Sequence, residues 1–128
     1  MKRLIVAVFA VVLLASCAKT QIIQDIENTE IFTGSGTKPN LAQVRAAIVQ
    51  AVVKKTWRPK DIDDNNIEAT LSKGQKKAVV TISYTTEKYS IKHKSSHLLL
   101  EKDGSIHRRY NSWVRGLQIT INKNLSKI

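Results

Sequence analysis

Apolar residues recur along this chain in three rhythms, and each predicts a different element. Residues 4–15 form one unbroken apolar run. After Pro39, residues Leu41, Val44, Ile48 and Val52 recur three and four apart, with Ala47 and Ala51 beside them. That spacing predicts an amphipathic helix reaching residue 55. Pro39 suits its first turn, Thr37 can cap it, and Lys54 and Lys55 complement the helix dipole at its end. Trp57 is expected to fold back over the core, Pro59 to stop the helix, and residues 60–66 to form a polar loop.

The rhythm then shortens to two. Ile67, Ala69 and Leu71 alternate with polar residues, as do Ala78, Val80, Ile82 and Tyr84, with Lys73-Gly74-Gln75 between the runs. These read as a β-hairpin. Tyr89 and Ile91 extend its second strand or open an irregular link. Residues 97–101 are expected to form a third strand, ended by the Asp103-Gly104 turn. Helical spacing returns with Val114, Leu117, Ile121, Leu125 and Ile128, headed by Tyr110 and Trp113. The expected fold is α+β: a helix, a three-stranded antiparallel sheet and a C-terminal helix in a two-layer sandwich.

The first apolar run has a different meaning. Lys2 and Arg3 precede it, and twelve apolar residues fall short of the about 20 that span a bilayer. A secretory signal is the expected reading. Its end, Leu14-Ala15-Ser16-Cys17, looks like a bacterial lipobox, in which the cysteine thiol receives diacylglycerol. Residues 1–16 would then be the signal peptide and Cys17 the lipidated start of the mature chain. Cys17 is the sole cysteine, which leaves no internal disulfide. Ala18 after the cysteine, by resemblance to the enterobacterial sorting rule, points to the outer membrane facing the periplasm. Residues 17–38 read as a flexible tether, broken by Thr33-Gly34-Ser35-Gly36-Thr37. Its isoleucines at 22, 23, 26 and 31 can dock on the domain or form a short helix. At about 3.3 Å per residue the tether would reach about 65 Å. Residues 39–128 form the expected domain.

Charge narrows the partners. The chain carries a formal +11, and residues 40–128 hold seventeen Lys and Arg against seven Asp and Glu. Such a domain attracts phospholipid headgroups, lipopolysaccharide phosphates, acidic glycans or acidic proteins. Export removes nucleic acid from the expected partners. The bilayer is engaged through acylated Cys17. Arg108, Arg109 and Arg115 are the candidate anion-binding residues, since guanidinium binds phosphate and carboxylate bidentately. Tyr110 and Trp113, three apart on one helix face, are candidates for an aromatic contact or for the core anchor of the last helix.

Catalytic patterns are sparse. His93 and His97, four apart on a strand, stand about 13 Å from each other, too far to share a metal. His107 can approach His97, and a small hydrolase or metal-dependent factor built on His97 and His107 is the alternative function. Asp61, Asp63 and Asn65 imitate the start of a calcium loop, but the required glycine and closing glutamate are missing. No Gly-x-Ser-x-Gly or phosphate loop occurs. No catalytic residue, cofactor or metal is assigned.

Several features together resemble a group of short uncharacterised lipoproteins of Gram-negative bacteria. They are Trp57 after the first helix, the strand at residues 78–84, Ser96 before Leu98-Leu99, and Ile106-His107 with Tyr110-Asn111 and Trp113-Val114. The resemblance spans roughly residues 40–125 and implies location and architecture, with no activity attached. The expected function is that of a membrane-anchored, non-enzymatic binding or structural module for an anionic envelope component or acidic protein.

Overall fold

The computed structural model describes residues 18–128. The expected signal peptide at residues 1–16 and the expected lipidation site Cys17 lie outside the described residues. The elements run β1 (Thr20–Ile22), β2 (Ile26–Glu30), α1 (Leu41–Lys54), β3 (Arg58–Asp63), β4 (Asn66–Lys73), β5 (Lys76–Tyr84), β6 (Lys88–His97), β7 (Ser105–His107) and α2 (Arg108–Leu125). Among the described residues no helix is long and apolar enough to cross a membrane.

The sheet corrects the sequence expectation. It has five antiparallel strands in the order β2-β6-β5-β4-β3, not three, and β1 and β7 form a separate two-stranded ladder. The expected hairpin is β4-β5, paired from Asn66↔Ser83 to Lys73↔Lys76. Tyr89 and Ile91 belong to neither expectation. They lie on β6, which returns alongside β5 after the turn at residues 85–87. The strand expected at residues 97–101 ends at His97, because Leu98 and Leu100 adopt left-handed backbone angles (φ 56 and 58) that turn the chain.

The edge strands were hidden by their polarity. β3 occupies the expected polar loop and carries Pro59, whose missing N–H is tolerated only where no second neighbour needs it. β2 breaks register between Ile26 and Thr29, with Asn28 at φ 53. Charge, proline and a bulge are the usual protections of an exposed sheet edge.

Both helices cover one face of the sheet. Ile67, Ala69 and Leu71, then Ala78, Val80, Ile82 and Tyr84, and Tyr89 and Ile91 point inward. Val44, Ile48 and Val52 of α1 and Val114, Leu117, Ile121 and Leu125 of α2 meet them. Asn124 of α2 donates to the Ala47 carbonyl of α1 at 3.1 Å. The α1 start differs slightly from expectation. Asn40, not Thr37, is the cap, in a reciprocal capping box with Gln43. The α1 end is a Schellman turn: Thr56 N–H reaches Val53 and Trp57 N–H reaches Val52. This places Trp57 in the core, as its position in the sequence suggested.

The expected tether is largely part of the folded body. β1 pairs with β7 through Thr20↔His107, Gln21↔Ile106 and Ile22↔Ser105. β2 forms one edge of the main sheet. The glycine-serine break is docked: Ser35 N–H donates to the Ile128 carbonyl at 3.0 Å. Gly34 lies so close to the Ser126 carbonyl that a β-carbon would sit 2.3 Å from its oxygen.

One buried amide holds this segment down. Asn111 of α2 is 1% exposed, the only fully buried polar side chain among the described residues. Its Nδ2 donates to Gln21 Oε1 at 3.1 Å and to the Ile22 carbonyl at 3.0 Å. Its Oδ1 accepts the Gln24 N–H at 3.1 Å. Asn111→Ala should cost about 2–3 kcal/mol, because it strands buried polar groups. Urea unfolding measures the cost, and amide exchange at Gln24 should accelerate. Unchanged protection there would refute the role. Thr56 occupies a left-handed position (φ 67) where glycine is preferred. Thr56→Gly should therefore raise stability by about 1 kcal/mol in the same unfolding experiment.

Candidate anion-binding site

The strand directions sort charge between the two ends of the sheet. β4 runs toward the turn at residues 74–75, and β5 starts there, so Lys73, Lys76 and Lys77 share that end. α1 finishes at the same end with Lys54 and Lys55, next to Arg58 at the start of β3. α2 begins there with Arg108 and Arg109. The opposite end holds the turns at residues 64–65 and 85–87, and with them Asp61, Asp63, Asp64, Glu30 and Glu87.

At the basic end the two-stranded ladder joins α2 to the N-terminal segment. Arg108 N–H donates to the Lys19 carbonyl at 2.9 Å, and His107 N–H to the Leu99 carbonyl at 2.8 Å. His107 caps α2, its Nδ1 accepting the Arg109 N–H at 3.1 Å. Burial lowers the His107 pKa first, and the positive charges of Lys76, Arg109, Arg108 and Lys19 lower it further. No acidic residue stands in the first turn of α2. Two arginines there oppose the helix dipole, which favours anions at that end.

These cations are unneutralised. The five ion pairs among the described residues are Lys38–Glu87, Arg45–Asp61, Lys92–Glu27, His93–Glu101 and Lys94–Glu68. None uses Lys19, Lys54, Lys55, Lys73, Lys76, Arg108 or Arg109. The structure thus brings Arg108 and Arg109 together with Lys19 and Lys76. It does not bring Arg115 to the same point. Arg115 lies seven residues beyond Arg108 on the same exposed stripe and donates to Ser112 Oγ at 3.2 Å.

The two aromatic candidates part company. Tyr110 is core: it is 1% exposed, its ring meets His93 edge-on at 5.3 Å, and burial pushes its hydroxyl pKa upward. Trp113 is half-buried and lines a cleft of about 290 Å³ with Lys54, Lys55, Lys73 and Ser112. The lysines come from two separate elements, the end of α1 and the end of β4, so only the fold reveals that they surround one indole.

The histidines take structural or exposed positions. His97 is exposed, opposite Lys77 on the uncovered sheet face. His107 is held by its capping bond among four cations, surroundings that disfavour a metal ion. His93 Nε2 lies 3.3 Å from Glu101 Oε1, off hydrogen-bond geometry, so the nitrogen lacks a hydrogen-bond partner among the described residues. Ser96 Oγ bonds the same Glu101 oxygen. The carboxylate is therefore the central member, whereas proton abstraction from serine needs the imidazole there. No three His, Cys, Asp or Glu among the described residues converge in a metal-holding group.

The aspartate-rich turn serves itself. Asp61 pairs with Arg45. Asp63 accepts the Asn65 N–H and the Asn66 side-chain amide, and these bonds hold its carboxyl below the usual range.

No family model, curated protein or solved structure matches the chain.

His107 yields a pH test. Its folded pKa lies below its ordinary 6.5, so the unfolded chain binds the proton more readily. Its contribution is complete above pH 6.5 and is lost as pH falls through that value toward the folded pKa. Thermal melts across this window should show stability falling with acidification. His107→Asn, which keeps a capping side chain without the titration, should flatten that slope.

Proposed function

We propose that this protein is a membrane-anchored, non-enzymatic envelope module that binds an anionic partner through the basic end of its domain. One observation carries the reading: seven cations, Lys19 beside β1, Lys73 and Lys76 at the hairpin turn and Lys54, Lys55, Arg108 and Arg109 at helix ends, gather at one end with no carboxylate partner among the described residues. Unpaired cations at this density focus a positive potential and attract anions. Arg108 and Arg109 supply bidentate donors, Lys76 and Lys19 supply point charges beside them, and Trp113 offers a flat apolar surface within its lysine-lined cleft. The lipobox at residues 14–17 supports the envelope location, and the resemblance to short Gram-negative lipoproteins agrees with it.

Affinity capture from detergent-solubilised envelopes tests the proposal. The wild-type chain should retain an anionic component, and retention should fall steeply with added salt. Lys76→Glu, Arg108→Glu and Arg109→Glu together should abolish it. Capture that survives both the reversal and moderate salt would show that the basic end is not the binding surface.

A further inference from the structure

The basic end is also the end from which the chain runs back toward Cys17. Thr20 is paired with His107, and the Lys19 carbonyl is bonded to Arg108, so Ala18 and Lys19 alone separate Cys17 from the ladder. At about 3.3 Å per residue this gap is under about 10 Å. A lipid on Cys17 would therefore hold this end of the domain against the bilayer instead of letting it range freely.

The chemistry of that end matches a bilayer surface. Lys19, Lys76, Arg108 and Arg109 present unpaired charge. Directly after β6 reaches the same end, Leu98 and Leu100 stand 54% and 59% exposed, flanking the buried Leu99. Interfacial membrane binding combines these two features: cations for the headgroups and apolar side chains for the acyl boundary. The far end of the sheet, with Asp61, Asp63, Asp64 and Glu87, would be repelled by the same surface.

We infer that the anionic partner of the basic end is the headgroup layer of the membrane holding the anchor, and that Leu98 and Leu100 insert beside it. The domain is then seated in one orientation, with its acidic end facing away. This deepens the proposed function and rests on it, since it names the anion that the same cations bind.

The test uses the full acylated chain, with the mass of lipidated Cys17 verified, in vesicles containing a lipid-borne quencher. Acylation leaves no other thiol, so a fluorophore can be placed on Leu98→Cys, or on Asp64→Cys at the far end. In vesicles containing phosphatidylglycerol the probe at 98 should be quenched and the probe at 64 should not. In phosphatidylcholine alone the quenching at 98 should weaken. Each cation removed near an anionic surface should lower the seated-to-free ratio about five-fold. Lys76→Gln, Arg108→Gln and Arg109→Gln together should thus lower it about a hundred-fold. Leu100→Ser should weaken seating while leaving the melting temperature unchanged, which separates membrane contact from folding. Equal quenching at 98 and 64, or seating indifferent to phosphatidylglycerol and to the triple variant, overturns the inference. If seating fails while salt-sensitive envelope capture persists, the binding function stands and its anion is not the headgroup layer. If capture fails as well, both readings fall.

Discussion

The arrangement depends on one buried side-chain amide. Asn111 sits on the inner half of α2, where an unsatisfied polar group costs about 1–3 kcal/mol. Its donors and acceptor are matched only when residues 21–24 lie in a single register against the helix. That register sets the β1-β7 ladder, and the ladder sets the position of Lys19 beside Arg108. Apolar packing contributes beside it, since Ile23 and Ile26 lie against the core while Ile22 is 74% exposed. The buried amide, together with the packing of Ile23 and Ile26 on the core, makes this segment part of the domain.

Charge polarity follows from strand direction. Antiparallel strands alternate their ends, so each turn delivers its flanking residues to one side of the sheet. The β4-β5 turn carries lysines, whereas the β3-β4 and β5-β6 turns carry carboxylates. The helices reinforce the division. Lys54 and Lys55 end α1 where its dipole favours cations, and Arg108 and Arg109 start α2 where its dipole disfavours them. At the acidic end the charges are engaged by neighbours, as Arg45 with Asp61 and Lys38 with Glu87. At the basic end Glu101 is engaged by His93 and Ser96, and Lys19, Lys54, Lys55, Lys73, Lys76, Arg108 and Arg109 enter no ion pair among the described residues.

Legibility in the sequence tracked burial. Both helices and the β4-β5 hairpin are visible because one face of each is apolar at the proper period. β1, β2 and β3 are edge or ladder strands, and an edge strand is recruited by its neighbour's backbone, which leaves no alternation to read. Leu98-Leu99-Leu100 misleads in the opposite sense: three leucines suggest a strand, yet only Leu99 enters the core. At the site, Arg108 and Arg109 are visible as a basic pair opening a helix. Lys19 and Lys76 are not, because residue pairs this distant in sequence meet only through the β1-β7 ladder and the hairpin turn. The lysines around Trp113 share that obscurity.

The leucine turn bears on how such an end is used. A left-handed backbone costs a non-glycine residue about 1–2 kcal/mol. Glycine or asparagine at 98 and 100 would reverse the chain with less strain and without exposed apolar surface. Leucine keeps both penalties while the domain is free in water. Burial of a leucine side chain contributes about 1.5–3 kcal/mol, so covering the exposed half of each contributes on the order of 1 kcal/mol. That is comparable with the strain of each residue. The geometry is thus unfavourable for an isolated domain and close to balanced when something apolar covers the turn. On the proposed anchoring, the nearest apolar phase is the bilayer that holds Cys17. The cations beside the leucines would bring the turn to that surface before the apolar contact forms, because electrostatic attraction acts over about a Debye length and dispersion contact does not.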